Sequence, residues 1–186
     1  MFDAILNQQF DMNLALTNLG QSFFGLQKLI FVLSYVIGFS LVARGLMMYR
    51  IFANQTYGSQ QRGEIAGPLV FLVVGVVLLY FPTTINTSLS TFFGTSELGT
   101  LQELAAYYKP HRSVHWYQTQ DVIIKYLKLV GLIAFIRGWI ILAKMGHAGA
   151  QPGSIGKGII HVIGGVILIN IIDTLKILGK TFGVAV

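Results

Sequence analysis

The 186-residue chain carries 11% charged side chains against 54% hydrophobic ones, and its mean hydropathy is +0.67. Soluble domains average about 25% charged residues, so this composition excludes an ordinary soluble domain and predicts a membrane protein. The net charge of +6 would suggest nucleic-acid binding in a soluble protein, but here the basic residues flank apolar runs, so none is expected. The chain has no cysteine, which excludes disulfides and thiol chemistry.

Residues 1–27 are predicted to form an amphipathic segment on the membrane surface, because apolar side chains recur among polar ones at a roughly helical interval. The segment contains aspartates and no basic residue, unlike the basic start of a cleavable secretory signal. A frayed tail is the alternative interpretation. The apolar positions are Phe2, Ile5, Leu6, Leu16, Leu19 and Phe23.

Four apolar runs follow, over residues 29–49, 65–82, 122–143 and 158–175. A helix needs about 20 apolar residues to cross a bilayer, and the second and fourth runs are near the lower limit. Strand-like alternation is absent from them, which favours helices over a membrane barrel. The predicted fold is an all-α membrane protein with four transmembrane helices and additional amphipathic interfacial helices.

The four runs form two copies of one helical hairpin, in residues 28–94 and 122–186. Each copy has a glycine, an Arg-Gly pair after five further residues, two glycines eight positions apart, and a Phe-Gly pair. Because each copy holds two spans, both enter the membrane from the same side, and the repeats are parallel rather than inverted. The markers are Gly38, Arg44, Gly45, Gly67, Gly75 and Phe93-Gly94, then Gly131, Arg137, Gly138, Gly156, Gly164 and Phe182-Gly183.

The connection between the hairpins, residues 95–121, is predicted to lie along the membrane interface. Thr100 and Glu103 have the spacing of a capping box, which favours a short amphipathic helix. The tyrosines and tryptophans that follow prefer the headgroup region. His111 and His115 are four residues apart, but no acid adjoins them and no metal site is predicted there.

The hairpin loops hold six basic side chains and one acid when Arg44 and Arg137, which lie just inside the spans, are included. The positive-inside rule applies best to short loops, so both loops are predicted in the cytoplasm and both termini on the opposite side of the membrane. Arg44 and Arg137 are expected to snorkel to the headgroups. Pairing with acids or carbonyls of neighbouring subunits is the alternative.

Small residues at helical spacing predict close helix contacts, since a missing side chain lets two backbones approach in lipid. Packing within the chain is one interpretation, and contacts in a homo-oligomer are the other. The sequence leaves both open. The candidate packing residues are Ser34, Gly38, Gly45, Gly67, Gly75, Ala134, Gly138, Gly156 and Gly164.

No motif in the chain predicts catalysis. The stretch from Gln151 to Lys157 looks like a phosphate loop, but it lacks the Gly-Lys-Ser/Thr ending and a preceding strand. His161 and Asn170 are expected to hydrogen bond to a neighbouring helix. Asp173 lies near the outer boundary, so no acid occupies the middle of a span. The protein is therefore predicted not to be an enzyme and to need no cofactor or metal.

The second copy has a glycine-rich pattern made of Arg137-Gly138-Trp139, residues 151–157, residues 161–166 and Asn170. This pattern resembles the small integral membrane proteins of type IVB (Dot/Icm) secretion systems, the IcmC/DotE group and its relatives DotV and IcmD/DotP. The likeness covers about residues 130–175. It implies an inner-membrane subunit of a machine that exports effector proteins or conjugates DNA, and it implies no active-site residue.

The expected function is therefore a structural one, in contact with membrane lipid and with other integral membrane subunits of a secretion complex. A small homodimeric transporter is the first alternative, and it would need a polar pocket near the midplane of the bilayer. A holin-like, membrane-remodelling protein is the second alternative, favoured by the amphipathic N-terminal segment.

Overall fold

The computed structural model describes residues 12–55, 66–96, 114–146 and 153–183, and every element in these ranges is a helix. The predicted all-α class is confirmed for this part of the chain. Predictions on residues 1–11, on the hairpin loops and on the Thr100, Glu103 and His111 motifs lie outside it. The helices are α1 (Met12–Gln55), α2 (Ala66–Leu79), α3 (Phe81–Phe93), α4 (Val114–Ala143) with a 3-10 turn (Lys144–Gly146), α5 (Ser154–Ile169) and α6 (Ile171–Thr181).

Two stretches are long and apolar enough to cross a membrane by themselves, Ser22–Ile51 in α1 and Thr119–Gly146 in α4 and its turn. The other helices form two bent pairs, α2 with α3 and α5 with α6, with bends of 90° and 91°. The number of candidate spans is therefore two, or up to four if each bent pair counts as one. At 1.5 Å per residue, α2 and α5 are about 21 and 24 Å long, shorter than a hydrocarbon core of about 30 Å.

Helix α1 is continuous from Met12 to Gln55, so residues 12–27 do not form a separate surface helix. The chain has no proline in this range, and its glycines at the N-terminal end, Gly20 and Gly25, lower helix propensity without breaking the hydrogen-bond ladder. Helix α4 likewise includes residues 114–121 of the predicted connection. The polar residues at both starts are compatible with a helix, so each long helix begins before the apolar run that it contains.

The sequence predicts a single helix for each of the second and fourth apolar runs. This prediction is wrong, because the helix breaks at Tyr80 in the second run and at Asn170 in the fourth. In the first copy Pro82 explains the break, since it lacks the N–H that a continuous helix would use and its ring would clash with the preceding turn. The second copy breaks at the corresponding position without a proline. The common feature of the two copies is a threonine four residues after the break.

The threonine hydroxyl satisfies carbonyl groups that the break leaves at the helix end. Thr84 Oγ1 donates to the carbonyl oxygen of Val77 at 3.0 Å, and Thr174 Oγ1 donates to that of Ile167 at 3.2 Å. The two threonines are 90 positions apart in the sequence, and so are the two acceptor residues, Val77 and Ile167. Unpaired carbonyls are costly in lipid, so these hydrogen bonds make a bend tolerable within a membrane protein.

A buried cluster of aromatic rings joins the two copies. Phe81 at the start of α3 packs edge-on against Phe31 of α1, with ring centroids 5.5 Å apart. On its other side Phe81 contacts Phe135 of α4 at 5.9 Å, and Phe135 in turn contacts Trp139 at 6.2 Å. Edge-to-face pairs at these distances add stabilisation beyond the apolar area they bury. The bend at Tyr80 therefore places Phe81 in the centre of the fold.

Candidate helix-packing and partner-binding site

In the first copy, α1 and α2 touch through the backbones of Gly38 and Gly75. A Cβ atom added at Gly38 would stand 2.9 Å from the carbonyl oxygen of Gly75 and 2.8 Å from the amide nitrogen of Leu79. A Cβ at Gly75 would stand 2.9 Å from the Gly38 oxygen and 2.8 Å from the Val42 nitrogen. These distances are below van der Waals contact, so only glycine fits at either position.

The second copy repeats this contact in α4 and α5, with Gly131 and Gly165 as the pair. A Cβ at Gly165 would lie 2.8 Å from the Gly131 oxygen and 2.7 Å from the nitrogen of Phe135. Phe135 corresponds to Val42 of the first copy, 93 positions earlier, just as Gly131 corresponds to Gly38. The copies therefore share one backbone register, with an offset of 93 in the first helix and 90 in the second.

A second glycine contact lies one heptad away from the first in each copy. A Cβ at Gly138 would stand 2.9 Å from the Gly158 oxygen and 2.7 Å from the Val162 nitrogen. At the corresponding Gly45, a Cβ would stand 3.1 Å from the oxygen of Pro68. The seven-residue interval on both helices of the second hairpin keeps the glycines on the contact face along two turns.

Gly156 and Gly164, which were predicted as packing residues, lie away from this contact. A Cβ added at either one would meet no atom of the described structure within 4 Å. The close contact with α4 is made instead by Gly158 and Gly165, which are not among the predicted residues. The sequence feature that could have identified them is their seven-residue interval, which Gly131 and Gly138 share. A role for Gly156 and Gly164 in homo-oligomer contacts stays a prediction.

Gly67 joins the two copies rather than the two helices of one hairpin. A Cβ at Gly67 would lie 2.6 Å from the oxygen of Gly146, and a Cβ at Gly146 would lie 2.6 Å from the oxygen of Gly67. Gly67 is at the start of α2 and Gly146 at the end of the turn after α4. The residue that follows the first hairpin loop therefore contacts the residue that precedes the second loop, at one end of the helix bundle.

The remaining candidate packing residues are Ser34 and Ala134. Ser34 is fully buried, and its hydroxyl donates to the carbonyl oxygen of Phe31 at 2.8 Å within the same helix. Ala134 is half-buried on α4. A buried hydroxyl that is satisfied by its own helix leaves the contact face free of unpaired polar groups, as close packing in lipid requires.

Arg44 and Arg137 are exposed on the outside of the helix pairs, and neither makes an ion pair with another described residue. The guanidinium carbon of Arg44 lies 5.3 Å from the ring centroid of Phe71, which is a cation–π distance. Arg137 has a different setting, since it borders an apolar groove of about 190 Å³ between α1 and α4. We call this the isoleucine groove. Its other walls are Ile30, Leu33, Ile37, Ile133, Ile136 and Ile140.

The remaining polar candidates, His161, Asn170 and Asp173, lie on the bent pair of the second copy. The Nδ1 atom of His161 is 2.7 Å from the carbonyl oxygen of Lys157 in its own helix, not in a neighbouring one as expected. Asn170 is fully buried at the break, and its Nδ2 donates to Asp173 Oδ2 at 2.7 Å. Asp173 also pairs with Lys176 at 3.1 Å. The carboxylate lies in the first turn of α6, where the helix dipole favours a negative charge.

A larger cavity, of about 540 Å³, lies between the N-terminal part of α1, helix α3 and the N-terminal half of α4. We call it the lysine cavity, because Lys125 and Lys128 line it together with mostly apolar side chains. The cavity could not be predicted from the sequence, since it depends on how α3 folds back at the bend. The other lining residues are Gly20, Phe23, Phe24, Gln27, Phe31, Pro82, Ile85, Asn86, Leu89, Ser96, Leu129, Leu132 and Ile169.

Within the described residues, no group of three or more histidine or acidic side chains could hold a metal ion. Comparison with protein families, with curated proteins and with solved structures finds no match to this chain. The features of the described residues that bear on function are the helix contacts, the isoleucine groove and the lysine cavity.

Proposed function

We propose that this chain is a structural, channel-associated subunit of an inner-membrane translocation complex of the type IVB secretion or conjugation kind. The observation that carries the proposal is the position of Arg137 at the edge of the isoleucine groove. The groove is apolar and lies where α1 of one copy meets α4 of the other. The described helices hold packing features and no reactive cluster, which fits a subunit that assembles rather than one that catalyses.

The electrostatics of Arg137 favour a protein partner at this groove. Arg137 lies six residues before the end of α4, so its guanidinium must reach about 9 Å along the helix to leave the apolar region. An arginine inside a span is stabilised by a carboxylate, by backbone carbonyls or by water. A transmembrane helix that fills the groove and offers an acid or a free carbonyl near Arg137 would supply that partner.

The proposed topology is four spans, with both hairpin loops in the cytoplasm and both termini in the periplasm. In it, α2 and α5 cross most of the bilayer, and α3 and α6 turn by 90° to lie along the periplasmic interface. The contact between Gly67 and Gly146 supports a common side for the two loops. The satisfied carbonyls at the breaks support bends at membrane depth.

The resemblance of about residues 130–175 to Dot/Icm membrane proteins supports a type IVB apparatus. The test is purification of the tagged chain from native membranes, with mass spectrometric identification of what co-purifies. Large membrane subunits and the ATPases of the secretion apparatus are expected with the unchanged chain and with Arg44→Leu. They should be lost with Arg137→Leu, because Arg137 lines the groove. Arg44 occupies the corresponding position in the first copy but does not line the groove, so Arg44→Leu is the matched control.

A small homodimeric transporter is the second candidate, and the paired helix breaks favour it. Helices broken at corresponding positions in two repeats line the substrate site of many transporters. In that case the chain would purify as a lone dimer and would move a solute across liposomes. This pair of results would contradict the secretion subunit.

A further inference from the structure

We propose that the lysine cavity binds an anionic phospholipid, with the phosphate against Lys125 and Lys128 and an acyl chain between α1, α3 and α4. This ligand does not depend on a role in secretion. The volume of the cavity, about 540 Å³, is within the ~300–1,000 Å³ typical of small-molecule sites. The cavity combines a cationic edge with an apolar interior, which is the chemistry of an anionic amphiphile.

The interior of the cavity is built from large apolar side chains of three helices. Phe31 of α1, Leu89 of α3 and Leu132 of α4 all line it, and Leu89 and Leu132 belong to the buried core. A free phosphate ion could neutralise the lysines but would leave these walls without contacts. An acyl chain would fill the same space with apolar atoms, so the walls favour a lipid over a soluble anion.

The charges that the described residues place in and near the cavity leave an excess of cations. Lys125 is paired with Asp121 at 2.6 Å, and Asp173 is paired with Lys176 at 3.1 Å. Lys128 makes no ion pair with a described residue, although Asp121 and Asp173 are near enough to act on it through space. Lys28 lies 4.5 Å from the ring centroid of Phe24, which lines the cavity. Among the described residues, four lysines in or near the cavity, Lys28, Lys125, Lys128 and Lys176, stand against two nearby carboxylates, Asp121 and Asp173, an excess of two positive charges.

Basic pockets between membrane helices bind the headgroups of anionic lipids. Gln27 and Asn86 line the cavity beside the lysines and can donate to the glycerol or phosphate oxygens. Asn86 is exposed on α3, so a larger side chain there can reach into the cavity without disturbing the core. This position supplies a steric test that leaves the lysines in place.

The experiment is native mass spectrometry of the full chain, delipidated in detergent and titrated with phosphatidylglycerol or with phosphatidylcholine of the same acyl chains. The unchanged protein should retain one phosphatidylglycerol in preference to phosphatidylcholine. Lys128→Gln should weaken retention by ~10- to 100-fold, as expected for a lost hydrogen bond to a charged group. Asn86→Trp should weaken it too, whereas Lys180→Gln, an exposed lysine outside the cavity, should leave it unchanged.

Three results would overturn the proposal. Equal retention of both lipids would show that the lysines do not select the ligand. Retention of phosphatidylglycerol unchanged by both Lys128→Gln and Asn86→Trp would place the lipid elsewhere. Displacement of the lipid by inorganic phosphate, or a co-purified peptide that Asn86→Trp removes, would identify a different occupant.

Discussion

Replacement of Gly165 by alanine should separate α4 from α5, whereas the same change at the adjacent Gly164 should not. The added methyl at Gly165 would lie 2.7 Å from the amide nitrogen of Phe135 and 2.8 Å from the carbonyl oxygen of Gly131. Both obstacles are backbone atoms of α4, so no side chain can rotate away. The methyl at Gly164 would meet no described atom within 4 Å.

The magnitude follows from the distance that the helices must move. Ordinary van der Waals contact begins at 3.4 Å, so α4 and α5 must part by about 3.4 − 2.7 = 0.7 Å at this point. Overpacking of this size costs ~1–3 kcal/mol. The gain in helix propensity from glycine to alanine, ~1 kcal/mol, is common to both variants and cancels when they are compared. Gly165→Ala should therefore be ~1–3 kcal/mol less stable than Gly164→Ala.

The assay is unfolding of the two variants in the same detergent micelles, followed by the fluorescence of tryptophan. Trp139 packs against Phe135, so it reports on the helix face that would move. Gly75→Ala should behave like Gly165→Ala, because a Cβ there meets Val42 and Gly38 at corresponding distances. Equal stability of the Gly164 and Gly165 variants would refute the assigned contact face.

Three further predictions concern the bends, the polar cluster and the loops. Thr84→Val and Thr174→Val should each lower the free energy of unfolding by ~0.5–1.5 kcal/mol in the same assay, because each removes a hydrogen bond across a bend. Thr181→Val is the control and should lower it less, because the Thr181 hydroxyl donates to a carbonyl within α6. Equal losses would refute a special role for the bend threonines. Asp173→Asn should cost ~1–3 kcal/mol, because the ion pair with Lys176 is lost and Asn170 loses this charged acceptor, and no loss would show that the pair contributes nothing. Single cysteines in place of Gly58 and Gln151 should react with an impermeant maleimide from the same side of the membrane, and opposite labelling would refute parallel repeats.

The helical class could be predicted from the sequence, because it depends on composition and on local spacing. Of the candidate packing residues, Gly38, Gly75 and Gly138 lie where two helix backbones approach closely. The prediction of Gly164 instead of Gly165 as a packing residue is explained by the eight-residue interval between Gly67 and Gly75, which Gly156 and Gly164 repeat in the second copy. Adjacent residues on a helix point about 100° apart, so a register error of one moves a glycine off the contact face.

The bends could be predicted only in part. Pro82 marks the first bend, since proline cannot continue a helix, but the apolar character of residues 65–82 predicts a single span. The second bend has no proline, and its hydrogen bond from Thr174 to Ile167 spans seven residues, which no short motif describes. The lysine cavity depends on α3 turning back over α1 and α4, so it could not be found before the bend was known.

The most direct test of a partner-binding role places a photo-crosslinking amino acid at Leu33 of α1 and at Ile133 of α4, which both line the isoleucine groove. Ile160, exposed on α5 outside the groove, is the matched control position. In native membranes, both groove positions should yield adducts with a membrane subunit of the secretion apparatus, and Ile160 should not. Adducts with lipid alone, or with a second copy of the chain alone, would contradict the proposed function.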